Sequence, residues 1–122
     1  MKELISEIFK NPLMNITFSV GLILIVAGFI MFKFPPKEIN SIYGYRTSSS
    51  MKNIDRWKFA QRYSSKEMIK LGFILMLTTT IGFITHFSDL TNMFLGLGLM
   101  TLTIVILIIR VENAIKKRFP NE

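Results

Sequence analysis

Three long apolar runs restrict this chain to architectures that cross a membrane. Residues 13–32 and 90–109 each form a run of twenty residues without a charged side chain, and residues 71–88 form a run of eighteen. A helix of about 20 apolar residues spans the hydrocarbon core of a bilayer. The sequence therefore predicts an all-α membrane protein in which residues 1–122 form one domain with three transmembrane helices.

The segments between and around the runs complete the predicted order. Residues 1–12 are predicted to form a short helix lying in the membrane interface, because apolar residues recur on one face of MKELISEIFK. In the first span, Gly21 and Gly28 form a smooth stripe that favours close packing against another helix. The predicted segments are span 1 at 13–34, a polar segment at 35–66, span 2 at 67–88, span 3 at 90–111 and a tail at 112–122.

The polar segment is longer than a simple connection requires, and it holds the only Trp and all three Tyr. Gly44, between two tyrosines, predicts a tight turn with its neighbouring rings at headgroup depth. Ser48–Ser50 offer capping hydroxyls for a helix over 51–63, whose apolar stripe predicts that it is amphipathic and lies in the membrane plane. The spacing of Ser64 and Glu67 matches a capping box and predicts that a separate helix begins there.

The distribution of positive charge predicts the orientation of the chain. Thirteen of the fifteen Lys and Arg residues lie in or beside the polar segment or in the tail, and only Lys2 and Lys10 lie on the other side. The positive-inside rule then places the polar segment and the C-terminus in the cytoplasm and the N-terminus outside. Because the net charge of +7 lies beside apolar runs, it indicates contact with anionic lipids and not with nucleic acid.

Arg46 is the first candidate for a functional side chain. Its guanidinium has the chemistry to bind a lipid phosphate or to pair with Glu38 or Asp55; the alternative is an ordinary inside-positive charge. Asn40, Asn53 and Asp55 suggest either a hydrogen-bonded network that holds the segment together or local turn and cap chemistry.

The aromatic residues of the polar segment are better explained as membrane anchors than as a ligand site. Trp57, Tyr43 and Tyr45 have amphipathic side chains of the kind that form aromatic belts at the bilayer surface. The basic residues around them are better explained by topology and anionic lipids than by a protein partner.

The sequence offers no sign of an active site. It has no cysteine, no glycine-rich phosphate loop, no paired carboxylates and no nucleophile with a base beside it. His86 and Asp89 are too few to coordinate a metal ion. We therefore expect neither an enzyme nor a cofactor. A transporter or ligand-binding subunit is supported only by Thr78–Thr80 together with Thr101 and Thr103.

The polar segment resembles a known family signature. PKEIN at 36–40, YGYRTSSSMKN at 43–53, and the spaced Trp57 and Ala60 resemble the SdpI/YfhL family of bacterial membrane proteins. The resemblance covers about residues 35–60 by motif and about 13–110 by the order of spans. The signature positions in this chain are Asn40, Gly44, Tyr45, Arg46, Thr47, Ser50, Met51, Asn53 and Trp57, and Tyr43 and Asp55 complete our candidate set.

The resemblance implies a function as well as a layout. It implies a protein of the bacterial plasma membrane that gives immunity to a secreted, membrane-active peptide toxin. In the member that gives the family its name, which is longer and has additional spans, it also implies capture of a soluble transcriptional repressor.

The leading hypothesis is therefore an immunity protein whose polar segment is the working part. The alternatives are a signalling scaffold that recruits a soluble regulator and a small transporter or ligand-binding subunit. A homo-oligomer is compatible with the sequence. Because the signature is predicted inside the cell, neutralisation of a toxin outside the cell is the least compatible mechanism.

Overall fold

The computed structural model describes residues 1–121, which contain five helices and no strand. The helices are α1 (Lys2–Lys10), α2 (Pro12–Lys33), α3 (Ile54–Thr78), α4 (Ile81–Ile84) and α5 (Asp89–Arg118). Three of the helical segments in this range, α2, α3 with its continuation α4, and α5, are long and apolar enough to cross a bilayer. The predicted all-α architecture is confirmed, and three helices have the length and composition of the predicted membrane spans.

Asn11 separates α1 from α2 and caps the second of these helices. Its Oδ1 accepts hydrogen bonds from the backbone N–H groups of Leu13 and Met14, at 2.9 and 3.3 Å. Pro12 occupies the first turn of α2, where its missing N–H costs no hydrogen bond. The helix predicted over residues 1–12 corresponds to α1, and its position at the bilayer surface stays a prediction.

Glycines allow α2 and α3 to approach each other closely. Gly21 and Gly28 are both buried on α2. A methyl group at Gly21 would lie 2.8 Å from the carbonyl oxygen of Gly72, and one at Gly28 would lie 2.8 Å from that of Ser65. These distances are too short for any side chain, so the two backbones meet only where glycine is present. The predicted packing stripe is confirmed.

The polar segment does not contain the separate in-plane helix that its pattern predicts, because α3 runs without a break into the second span. Asn53 caps this helix, with its Oδ1 accepting from the Arg56 N–H at 2.9 Å. The Ser64 hydroxyl donates to the Gln61 carbonyl oxygen at 3.2 Å instead of starting a new helix. The capping-box prediction at Ser64 and Glu67 is wrong, because the backbone there is already inside a helix.

Protein covers part of the apolar side of the first half of α3. Helix α5 has 30 residues and is about 45 Å long, whereas the hydrocarbon core is about 30 Å thick. Helix α5 is therefore longer than one crossing requires, and in its C-terminal part Val111 and Ile115 are fully buried in a cluster with Ala60 of α3. This contact between helices explains the part of the stripe around Ala60, whereas Met51 and Ile54 at its start are exposed.

An ion pair joins α3 to α5 at the end of the third span. Arg110 donates from Nε and Nη2 to the two carboxylate oxygens of Glu67, at 3.0 and 3.1 Å, and Glu67 is buried. The Lys70 Nζ lies 3.8 Å from the same carboxylate. A bidentate guanidinium compensates a carboxylate that burial alone would disfavour. The observed role of Glu67 is therefore to connect the two helices.

The threonines of the spans do not converge on a common site. Thr78 and Thr103 each donate to a carbonyl oxygen of their own helix, at 2.5 and 2.7 Å. Thr79, just after the end of α3, shares a hydrogen bond of 2.9 Å with the hydroxyl of Thr17 on α2. The first two bonds lie within one helix and the third joins α2 to the end of α3, so the structure adds no support for a ligand site built from these residues.

Candidate functional site

Residues 34–53 fold over the beginning of α3, and we call this segment the cap. Trp57 lies beneath the cap with none of its surface exposed. Its indole Nε1 donates to the carbonyl oxygen of Pro36 at 2.8 Å, so the polar atom of this buried ring is satisfied. Trp57 is thus the centre of a small core, and the prediction that it anchors the chain in the headgroup layer is wrong.

Gln61 holds the middle of the cap from the side of α3. Its Oε1 accepts from the Tyr45 N–H and its Nε2 donates to the Tyr45 carbonyl oxygen, both at 2.7 Å. Gly44 has a φ of 113°, and a methyl group there would lie 2.5 Å from the Gln61 Oε1. Only glycine fits this conformation and this close approach. The turn predicted at Gly44 is confirmed. The sequence patterns do not identify Gln61 as a functional residue, although a polar amide among apolar helix positions is a usable sign of a buried contact.

Glu112 attaches the cap to α5. The Tyr45 hydroxyl and the Thr47 hydroxyl donate to the same carboxylate oxygen of Glu112, at 3.0 and 3.2 Å. Burial and, after it, the adjacent Glu112 carboxylate raise the pKa of the Tyr45 phenol above its ordinary value, so the phenol stays protonated and remains a donor. The sequence places Glu112 in a basic tail, and no local pattern reveals this contact.

Thr47 and Ser50 close the turn at the end of the cap. The Ser50 Oγ accepts from the Thr47 N–H at 2.9 Å, and the Thr47 Oγ1 accepts from the Ser50 N–H at 3.1 Å. Ser50 is fully buried by this arrangement. Its hydroxyl therefore stabilises the cap and does not cap α3 as the sequence suggests.

Arg56 connects the cap to the C-terminal end of α5. This side chain is buried, and it donates from Nε to the Ser49 carbonyl oxygen and from Nη2 to the Ser49 hydroxyl, both at 2.8 Å. Its guanidinium also lies 5.7 Å from the centre of the Phe119 ring. The sequence analysis uses Arg56 only as one of the positive charges that predict the orientation, whereas the structure shows that it holds part of the site together.

The outer part of the cap is shaped by local hydrogen bonds. The Asn40 Oδ1 accepts from the N–H groups of Ile42 and Tyr43, at 2.9 and 2.7 Å, which is the turn chemistry expected of Asn. The Tyr43 hydroxyl donates to the Phe34 carbonyl oxygen at 2.6 Å. Asn40 and Asn53 thus act in separate turns, and the alternative of local turn and cap chemistry is the correct one.

Arg46 lies on the exposed surface of the cap. Its Nη1 donates to the carbonyl oxygen of Ser41. It therefore orders a neighbouring turn, and the predicted pairing with Glu38 or Asp55 is wrong. Asp55 is exposed in the first turn of α3, where a carboxylate is favoured by the helix dipole.

A model of the SdpI/YfhL protein family matches residues 37–111. The match covers more than half of the 122 residues and runs from the cap through α3 and most of α5. This chain belongs to the SdpI/YfhL family. Together with the three apolar helices, membership in this family identifies a multi-pass membrane protein.

A curated relative supports membership in the SdpI/YfhL family. The chain is 47% identical over 55 residues to a protein of Bacillus subtilis (strain 168) named "Uncharacterized protein YfhL". The matched part is 45% of this chain and 50% of the relative, so the match spans about half the length of that protein. No solved structure matches the chain.

The signature positions of this SdpI/YfhL family member, taken with the further candidates Tyr43 and Asp55, fall into two groups by exposure, apart from Asn40, which is half-buried in the outer turn of the cap. Six of them form the interior or the hydrogen-bonded frame of the cap: Gly44, Tyr45, Thr47, Ser50, Asn53 and Trp57. Tyr43, Arg46, Met51 and Asp55 are exposed on the outside. In residues 1–121, no group of three or more His, Asp or Glu side chains is placed to hold a metal ion. The arrangement is a hydrogen-bonded frame that presents several exposed side chains at one end of the helices.

Proposed function

We propose that this chain is an immunity protein of the bacterial plasma membrane, which protects the cell against a membrane-active peptide toxin without enzymatic chemistry. The cap is its proposed working part. The observation that carries this proposal is that the exposed signature residues stand on a frame fixed from below by Trp57 and Gln61 and from the side by Glu112. Binding residues held on a rigid support in this way lose little conformational entropy when they make a contact.

In the proposed orientation, the cap and the end of α5 face the cytoplasm. Glu112 and Phe119 of the C-terminal part both contact the cap or the residues beneath it, so the two segments lie at the same end of the helices. This end carries thirteen of the fifteen Lys and Arg residues, which favours the cytoplasmic side.

The opposite end would then face the outside of the cell. It has an open cleft of about 460 Å³ lined by residues of α1, of α4, of the turn before α5 and of the first turn of α5, among them Glu7, His86 and Asn92. Since the signature residues lie at the other end, a toxin that has entered the bilayer would meet them from the membrane side. We therefore propose that protection acts within the bilayer or through an inward signal.

Replacement of Arg46 by alanine tests the proposed role of the cap. Arg46 is exposed and contacts only a neighbouring turn, so Arg46→Ala is expected to leave the helices intact. We expect the toxin concentration that cells tolerate to fall about tenfold, the effect of losing one contact of roughly 1.4 kcal/mol. The measurement is survival of cells that produce equal amounts of each variant in the membrane.

The matched control is Lys52→Ala, which removes the same charge from another exposed position at the end of the cap. It is expected to protect as well as the parent chain. If Arg46→Ala and Met51→Ala both give full protection, the exposed side of the cap is not the working part.

A further inference from the structure

An open groove of about 530 Å³ lies between α3 and the C-terminal part of α5, beside the cap. Phe59 and Tyr63 of α3 form one wall, with their rings stacked at 5.8 Å between centres. Arg110, Lys117 and Arg118 of α5 supply positive charge to the other wall. The groove thus combines an apolar, aromatic side with a cationic side.

The positive charge of this groove is only partly compensated. Arg110 is paired with Glu67. Within residues 1–121, neither Lys117 nor Arg118 forms a salt bridge with a carboxylate, and no acidic residue lines the groove. Arg118 lies 5.6 Å from the centre of the Phe119 ring, which holds its guanidinium near the groove without neutralising it. The groove is therefore complementary to an anionic group.

The position of the groove along α5 matches the headgroup layer. Its lining begins at Arg110, directly after the third apolar run, and continues on one helix face to Arg118. Eight residues of helix cover about 12 Å. The headgroup layer on each side of a bilayer is about 5–8 Å thick, so Arg110 lies at the depth of lipid phosphates. The backbones of Lys117 and Arg118 lie about 10–12 Å farther along α5. Because side chains on a helix tilt toward its N-terminus, the long side chains of Lys117 and Arg118 reach back toward the phosphate depth.

The surface on the membrane side of the groove suits an acyl chain. Ile106 and Leu102 lie one and two helical turns before Arg110 on the same face of α5. Leu102 is exposed and Ile106 is half-buried in the helix bundle. A molecule with its phosphate in the groove can therefore place an apolar tail along these residues.

From this combination we infer that the groove between α3 and α5 is a binding site for one anionic phospholipid. Its phosphodiester contacts Lys117 and Arg118, the rings of Phe59 and Tyr63 cover its glycerol region, and its acyl chain follows α5 into the bilayer. The inference does not depend on the proposed immunity function, since it concerns a lipid that is present with or without a toxin.

Titration of the purified full-length chain in a neutral detergent with phosphatidylglycerol and with phosphatidylcholine of the same acyl chains tests this site. Bound lipid is counted by native mass spectrometry. We expect phosphatidylglycerol to bind about tenfold more tightly than phosphatidylcholine, because the choline cation makes phosphatidylcholine net neutral and is repelled by the two cations of the groove. The double variant Lys117→Gln/Arg118→Gln is expected to lose this preference.

The matched control is Lys58→Gln/Arg62→Gln, which removes one Lys and one Arg from a different groove, beside Pro35 and Pro36. It is expected to keep the preference for phosphatidylglycerol. Equal binding of the two lipids by the parent chain, or equal loss of preference in both double variants, would overturn the inference. Displacement of phosphatidylglycerol by millimolar inorganic phosphate would also overturn it, because it would assign the site to a free anion.

Discussion

Trp57→Ala is expected to cause the largest loss of stability of any single substitution in the cap or in the helix residues beneath it. The indole is completely buried, and its N–H is bonded to the Pro36 carbonyl oxygen. Removing it leaves a cavity under the cap and an unpaired carbonyl group. The expected decrease in the free energy of unfolding is about 3–5 kcal/mol. The measurement is unfolding in mixed micelles followed by circular dichroism, because Trp57 is the only tryptophan and fluorescence would be lost with it.

Trp57→Phe separates the loss of the buried ring from the loss of the N–H hydrogen bond. Phenylalanine keeps an aromatic ring in the core but lacks the N–H group, so its expected cost is intermediate between that of the parent chain and that of Trp57→Ala. If Trp57→Ala unfolds at the same denaturant concentration as the parent chain, Trp57 is not the core of a folded cap.

Glu112→Ala is expected to detach the cap from α5. The Glu112 carboxylate accepts hydrogen bonds from the Tyr45 and Thr47 hydroxyls, and alanine leaves both donors without this partner. The expected loss is about 1–3 kcal/mol of the free energy of unfolding. Hydrogen exchange measured by mass spectrometry is expected to show faster exchange in residues 43–51, while the middle of α2 is unchanged.

Two variants control for the removal of a side chain at this point of α5. Glu112→Gln keeps an acceptor oxygen and is expected to slow exchange in the cap relative to Glu112→Ala. Asn113→Ala changes the neighbouring exposed residue, which does not contact the cap, and is expected to behave like the parent chain. Unchanged exchange of residues 43–51 in Glu112→Ala would show that α5 does not hold the cap.

The parts of this fold that follow from local chemistry can be predicted from the sequence. The three spans follow from hydropathy, because a bilayer requires about 20 apolar residues for each crossing. The turn at Gly44 and the close contact at Gly21 follow from what glycine alone permits. In each case the residue type and its immediate neighbours carry the information.

The contacts that assemble the cap do not follow from local patterns. The hydrogen bonds from Tyr45 to Gln61, from Trp57 to Pro36 and from Thr47 to Glu112 connect residues that are 16, 21 and 65 positions apart. An amphipathic pattern over 51–63 is the same whether lipid or another helix covers its apolar side. The pattern therefore predicts the burial of Trp57 and Ala60, although Ile54 on the same stripe is exposed. It cannot show that the cap covers Trp57 and that α5 covers Ala60.

The central claim, that the cap is a folded structure, is tested most directly by thiol labelling of two variants in a chain that has no native cysteine. Ser48→Cys places a thiol at an exposed position, whereas Ser50→Cys places one at a position with no exposed surface. In intact membranes we predict that the thiol at position 48 reacts with a small maleimide about a hundredfold faster than the thiol at position 50. Equal labelling rates at the two positions would contradict the account.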